Sequence, residues 1–227
     1  MIQREAVQER AGASFLAKVY GRMSLGLLLT FLTSFVVSNT SLIYRLIYSR
    51  GLFMGFIFAE LALVWYMSAR VHKMSMSQLT LGMVVYAIIN GITLSIIFIL
   101  YTGTSVMSTF FVTAGMFGAL AIYGTTTDRD LSNMGSIMMM GLIGVIIASL
   151  VNIFLKSSAI YWIITYAGVI IFTGLTAYDS QKIKAIGERG GYSGEDMNKM
   201  AMMGALSLYL DFVNLFLFLL RILGRKK

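Results

Sequence analysis

Cysteine and proline are both absent from this 227-residue chain, and histidine occurs once, at His72. Without cysteine there is no disulfide, no thiolate zinc site and no cysteine nucleophile. One histidine cannot furnish a multi-histidine metal site. Without proline no helix is broken by a ring, so a kink must come from glycine, from Ser/Thr or from an inserted water. Charge is scarce too. Only 12% of the residues are Asp, Glu, Lys or Arg, about half of the roughly 25% usual in a soluble domain.

What fills the space is apolar: 58% of the residues are hydrophobic and the mean hydropathy is +0.80. Residues 74–127 form a stretch of 54 without a charge. A spanning helix takes about 20 residues, so this stretch holds two spans and a tight turn at Tyr101–Ser105. Uncharged windows predict spans at 23–43, 52–69, 79–101, 105–124, 134–155, 158–178 and 200–220, after a polar N-terminal segment 1–22. The runs are continuously apolar rather than alternating, which argues against a closed β-barrel. Met1–Lys18 is polar and of mixed charge, unlike a cleavable signal. The expected fold is an all-α polytopic membrane protein, a seven-helix bundle forming one domain over 1–227.

A net charge of +8 suggests nucleic acid at first sight, but the cations flank spans, so the partner they imply is the lipid bilayer. With the N-terminus inside, inner segments hold eleven Lys and Arg and outer loops hold Arg45, Arg50 and Lys156. The expected N-terminus is cytoplasmic. Arg221, Arg225, Lys226 and Lys227 count as outer if the last segment crosses and as inner if it is re-entrant. Its length favours crossing. The connection Ser180–Lys199 is the most polar, and its Gly190-Gly191 and Ser193-Gly194 pairs suit flexible turns. Gly115 with Ala119 and Gly144 with Ala148 supply small-residue faces for close helix packing.

Three acids break the apolar pattern. Asp211 lies near the middle of Met200–Leu220, Glu60 near the middle of Leu52–Ser68, and Asp179 directly follows the uncharged run Ser157–Tyr178. A charge at bilayer depth costs about 2.5–3.5 kcal/mol even on the mildest scale, so it should face a cavity or a partner. Asp179 and Asp211 can meet only if the sixth spanning helix continues beyond Asp179, and Gln181-Lys182-Ile183-Lys184 is compatible with a helix. Two carboxylates in contact would share a proton and titrate as a coupled pair, a pH response that needs no histidine.

Other polar residues follow the same logic. Gly204, Ser207, Asp211 and Asn214 share one face of the last helix, continued to Arg221. A polar stripe in lipid turns inward, so this helix should be central or line a cavity. Tyr86, Asn90 and Thr93 form a shorter stripe. Asn90, Asn152 and Asn214 suit interhelical hydrogen bonds. Glu60 suits either pairing with Asn or Tyr groups on neighbouring helices or a role as a protonated structural acid. Arg70 suits either a counter-ion for the buried acids or a boundary residue snorkelling to the interface.

Leu206-Ser-Leu-Tyr-Leu-Asp211-Phe-Val-Asn214-Leu-Phe, ending in Leu219-Leu220-Arg221, resembles the last-helix signature of the transmembrane Bax-inhibitor-motif family. Gly174-Leu-Thr-Ala-Tyr-Asp179-Ser-Gln-Lys, Tyr123-Gly-Thr-Thr-Thr-Asp-Arg129-Asp130-Leu-Ser and Gly91-Ile-Thr-Leu-Ser-Ile-Ile-Phe agree with it. The resemblance runs from Tyr20 onward and is nearest to bacterial inner-membrane members. It implies six helices around a central seventh and a calcium-leak activity. It also implies a di-aspartyl pH sensor matching Asp179 and Asp211, an acid of the ion path matching Glu60, and an arginine that maps approximately to Arg70. Asn90, Asn214 and Ser207 join the ion path as polar lining. Relatives often carry proline where Ile96 stands here, which puts a kink in the third spanning helix in doubt.

The expected function is a pH-sensitive calcium leak gated by the carboxylate pair, with calcium and protons as permeant or sensed ions. Asp179, Asp211 and Glu60 are the oxygen ligands a hard cation prefers, and no tightly bound cofactor or nucleic acid is expected. Two alternatives differ in class. One is a non-transporting regulator that binds membrane proteins or membrane protease machinery. The other is an intramembrane aspartyl protease, disfavoured because Asp211 lies in Leu-Tyr-Leu-Asp rather than a glycine-flanked setting.

Overall fold

The computed structural model describes residues 2–189 and 194–227, with side chains from Arg10 onward. Its elements are α1 (Ile2–Ser38), α2 (Leu42–Tyr48), α3 (Arg50–Arg70), α4 (Met76–Leu94), α5 (Ile97–Leu100), α6 (Gly103–Thr126), α7 (Ser132–Leu155), α8 (Ser158–Arg189) and α9 (Gly194–Leu223). Among the described residues, seven helical segments are long and apolar enough to cross a membrane, with α4 and α5 sharing one of them. No strand is formed among the described residues.

Four boundaries differ from the sequence reading. The first span was expected at 23–43 after a polar segment, but α1 is helical from Ile2 and ends at Ser38. Nothing in Gln3–Lys18 stops a helix, because Gln, Glu, Arg and Ala are good formers. Phe15, Val19 and Met23, one helical turn apart, bury an apolar edge there. Residues 42–48 make the separate helix α2, which turns Ile43 and Leu46 inward against Val37.

The third span is interrupted at Ser95–Ile96, without a proline. Ser95 N bonds both Gly91 O (3.0 Å) and Ile92 O (3.3 Å), and Ser95 Oγ also takes Ile92 O at 2.6 Å. Phe98 N and Ile99 N then reach back only three residues. A serine that captures the carbonyl of its own turn thus does the work expected of a ring. Finally, the polar connection Ser180–Lys199 is mostly helix: α8 runs on to Arg189 and α9 starts at Gly194. Gly190, Gly191 and Ser193, expected as turn residues, lie outside the described residues.

The chain forms two compact units. The first contains Met1–Gly103, Gly187–Tyr209 and Lys226–Lys227. In it α1 packs on α4, and α3 on α4. A capping box of Ser75 and Gln78 starts α4. Arg22 Nη1 donates to Asn198 O at 2.7 Å, tying α1 to the start of α9.

The second unit contains Thr104–Ile186 and Leu210–Arg225. Its core is Ile164, Ile171, Phe172 and Leu175 of α8 with Leu215, Phe218 and Leu219 of α9. Phe172 stacks on Phe218 at 5.9 Å between centroids, and Phe117 of α6 meets Phe212 edge-on at 5.5 Å.

Burial separates the spans. Of the most apolar window of α9, 61% is buried, against 0% for α7. The last helix is therefore the most enclosed among the described spans. The small-residue faces behave otherwise than expected. A Cβ at Gly115 or Gly144 would meet nothing within 4 Å, because both glycines are exposed. Close approach is made elsewhere, at Gly91, Gly124 and Gly135.

Candidate functional site

The extension of α8 past Tyr178 decides the site, because it keeps Asp179 on a helix rather than in a loop. In the second unit Asp179 lies within electrostatic range of Asp211. Asp211 is 5% exposed and its Oδ2 has no hydrogen-bond partner. Asp179 is half-buried. A buried polar oxygen left without a donor carries a desolvation penalty of about 1–3 kcal/mol, more when it is charged.

The stretch around Asp179 is gripped from both sides. Gly124 of α6 lies against the Ala177 carbonyl, and Gly135 of α7 against the Tyr178 ring, in each case too close for a side chain to fit between. Gln181 Nε2 donates to Arg129 O at 2.8 Å, and its Oε1 accepts from Leu131 N at 2.9 Å. Lys184 Nζ donates to Thr125 O at 2.9 Å. Two of the signature segments, 123–132 and 174–182, thus hold one another, with Asp179 inside the grip. In the connection itself Ser132 N donates to Asp130 Oδ1 at 2.9 Å. The Ser132 hydrogen bonds keep the Asp130 carboxyl below its ordinary range.

The first unit holds Glu60. Asn90 Nδ2 donates to its Oε2 at 3.2 Å and Thr93 Oγ1 to its Oε1 at 2.7 Å. The chain goes on: Tyr209 OH donates to Asn90 Oδ1 at 2.8 Å, and Thr30 Oγ1 lies 2.7 Å from Tyr209 OH. Thr30, Asn90 and Tyr209 are buried, Tyr209 completely. Tyr86 meets the Tyr209 ring edge-on at 5.6 Å. Glu60 therefore pairs with an asparagine and a threonine of α4, and α1 and α9 join through Tyr209.

The remaining candidates are placed as follows. Gly204, Ser207, Asn214 and Arg221 are half-buried on a helix whose other residues are mostly buried, so the expected stripe is also the more accessible line of α9. Asn214 Nδ2 bonds its own helix, at Leu210 O (2.8 Å), and Asn152 Oδ1 accepts from Ser157 N in the α7–α8 connection. Of the three asparagines expected to bridge helices, only Asn90 is seen doing so. The other two have carbonyl and amide groups of their own chain in closer reach. Arg70 is exposed, its guanidinium 5.3 Å from the Tyr66 ring centre, which matches the boundary reading. Arg221 lies over Phe218 and Tyr161. Among the described residues, no three His, Cys, Asp or Glu side chains gather as a metal-holding group.

Tyr209, Thr30, Gln181, Lys184, Gly124 and Gly135 were not singled out from the sequence. Tyr209 and Gln181 stand inside the signature segments, two residues from each aspartate, and that position was the available signal.

Fold and site together define a polytopic helical membrane protein with two carboxylates in electrostatic range of one another on its last two spans. A family model described as "Inhibitor of apoptosis-promoting Bax1" matches residues 12–227. The chain is 49% identical over 224 residues to inner membrane protein YbhL of Escherichia coli (strain K12), which spans 97% of this chain and 96% of that one. It is 45% identical over 214 residues to a protein of Borreliella burgdorferi, with 94% and 92% covered. It is 42% identical over 213 residues to protein RP147 of Rickettsia prowazekii, with 94% and 90% covered. The chain belongs to the Bax inhibitor-like membrane family.

Proposed function

We propose that the protein is a pH-sensitive calcium leak of the bacterial inner membrane, gated by the Asp179–Asp211 pair, with its N-terminus cytoplasmic. The observation that carries this reading is the buried Asp211, whose Oδ2 has no donor and whose carboxyl is in electrostatic range of Asp179. One proton shared between the two carboxyls joins α8 to α9. Its removal leaves two like charges in a poor dielectric, which repel and loosen that joint. The neighbouring grip by Gly124, Gly135 and Gln181 limits how far α8 can follow. Glu60, backed by Asn90 and Thr93, is the acid of the ion path in this reading, and Ser207 and Asn214 are its polar lining on α9. Calcium suits a path built of carboxylate and amide oxygens.

The test is calcium entry into proteoliposomes at a series of pH values from mildly acidic to mildly alkaline. Wild type should conduct with a pH dependence. D179N and D211N, each removing one ionisable carboxyl, should flatten it. Unchanged flux and unchanged pH response in both variants would overturn the mechanism.

The matched family model is described as an inhibitor, which supports a second reading, a non-transporting regulator. We propose that in this reading it acts by binding other membrane proteins or membrane protease machinery. The absence of ion flux from pure protein, together with a specific membrane-protein partner, would select it.

A further inference from the structure

A carboxylate can only accept hydrogen bonds, so an ionised Glu60 orients every group behind it. The Asn90 amide must turn Nδ2 to Glu60, which leaves Oδ1 facing Tyr209 (2.8 Å). Tyr209 has one proton and spends it on Asn90 Oδ1. Its oxygen then accepts from Thr30, 2.7 Å away. All the donors point the same way, from α1 through α9 and α4 to α3.

Protonating Glu60 makes a reverse order possible, because the carboxyl gains a donor while its other oxygen still accepts. In that order Asn90 presents Oδ1 to the carboxyl and Nδ2 turns to the Tyr209 oxygen. Tyr209 then donates to Thr30, which passes its own proton to a backbone carbonyl, Gly26 O or Ala87 O, each 3.0 Å away. The chain therefore admits two complete arrangements, and the structure holds the first, with Tyr209 donating to Asn90 Oδ1 and Nδ2 toward Glu60. An amide conveys orientation here and does not relay the proton itself.

We propose that Tyr209 is a positioning residue for Glu60: by donating to Asn90 Oδ1 it holds the amide with Nδ2 toward the carboxylate and so keeps Glu60 in its ionised, cation-ready form. The proposal rests on the reading above in taking Glu60 as part of the ion path. The titratable groups that act on Glu60 are Tyr86 of α4 and Tyr209 of α9. α1 contributes Thr30, by way of Tyr209, and on α3 itself the nearest charged residues are Arg50 and Arg70, ten positions off on either side. Among the described contacts no other group on these elements bonds Asn90 Oδ1, while Thr93 Oγ1 donates to the Asn90 main-chain carbonyl at 2.9 Å.

Y209F removes one oxygen and keeps the ring that packs edge-on against Tyr86, so it is expected to fold. The measurement is infrared difference spectroscopy of pure protein in lipid nanodiscs at neutral pH, with E60Q as the blank that isolates the Glu60 bands. Wild type should show Glu60 in the carboxylate band. Y209F should move intensity into the carboxylic-acid band, changing the ratio about fivefold, the effect of one neutral hydrogen bond. In an N90L background, which has no amide to orient, Y209F should add no further change.

If Y209F leaves the Glu60 bands where they are, or changes them equally in N90L, the positioning role is overturned. A wild-type Glu60 already in the acid band would overturn it as well. Calcium flux in the same samples separates the two readings. If the bands move while wild type conducts nothing, the positioning role stands and the channel reading falls. If wild type conducts and the bands stay put, the reverse holds.

Discussion

Gly124 of α6 and Ala177 of α8 are in backbone contact: a methyl group added at 124 would run into the Ala177 carbonyl. No rotamer change relieves that overlap, because the obstacle is main chain. Ala177 stands two residues before Asp179, so α8 must shift where the pair is built. G124A is expected to lower the thermal midpoint in detergent by the equivalent of about 1–3 kcal/mol, the usual cost of overpacking, and to alter the pH response of ion flux. G118A is the control. Nothing lies within 4 Å of a Cβ there, and alanine is the better helix former by about 1 kcal/mol. G118A should therefore match wild type or melt slightly higher. Equal midpoints for G124A and G118A would show that the contact carries no weight.

Asp130 supplies a pH dependence outside the membrane spans. Its carboxyl is held below the ordinary value of 3.8 by the Ser132 hydrogen bonds. A group with a lowered folded value stabilises the fold above its unfolded value and loses that contribution as pH falls through the folded one. D130A should therefore be less stable than wild type at neutral pH. The gap between them should close as the pH falls through and below the ordinary value of 3.8. A gap that persists unchanged at low pH would mean that the loss in D130A has another cause. Melting curves of both proteins in one detergent, over a pH series, decide it.

The seven spans were legible because apolar runs of spanning length have few alternatives, and the three acids stood out against them. The continuation of α8 was legible as a condition: Asp179 could reach Asp211 only on a longer helix, and residues 181–184 allowed one. Other features depend on helix rotation and depth, which no residue states by itself. Gly115 and Gly124 look alike in sequence, yet only Gly124 faces a neighbouring backbone. Tyr209 resembles any tyrosine in an apolar helix until Asn90 and Thr30 are found beside it. The N-terminal end of α1 was missed for a simpler reason. Hydropathy marks where a membrane starts, whereas a helix continues for as long as nothing stops it.

The break in α4–α5 makes its own case for what a proline at position 96 would do. Ile96 has a φ of −60°, which is the angle a proline ring imposes. The Ile92 carbonyl, the acceptor its amide would have in a regular helix, is already taken by Ser95 through both N and Oγ. Proline at 96 thus removes a donor with little to lose, although Ser95 in its helical conformation is not the neighbour proline prefers. I96P should cost well under the roughly 3 kcal/mol of a proline in a helix interior. I88P, a full two turns earlier in unbroken α4, should cost at least that much. Melting midpoints of the two variants in detergent give the comparison. Equal and large losses would mean that the serine-made break and a proline-made break are not interchangeable.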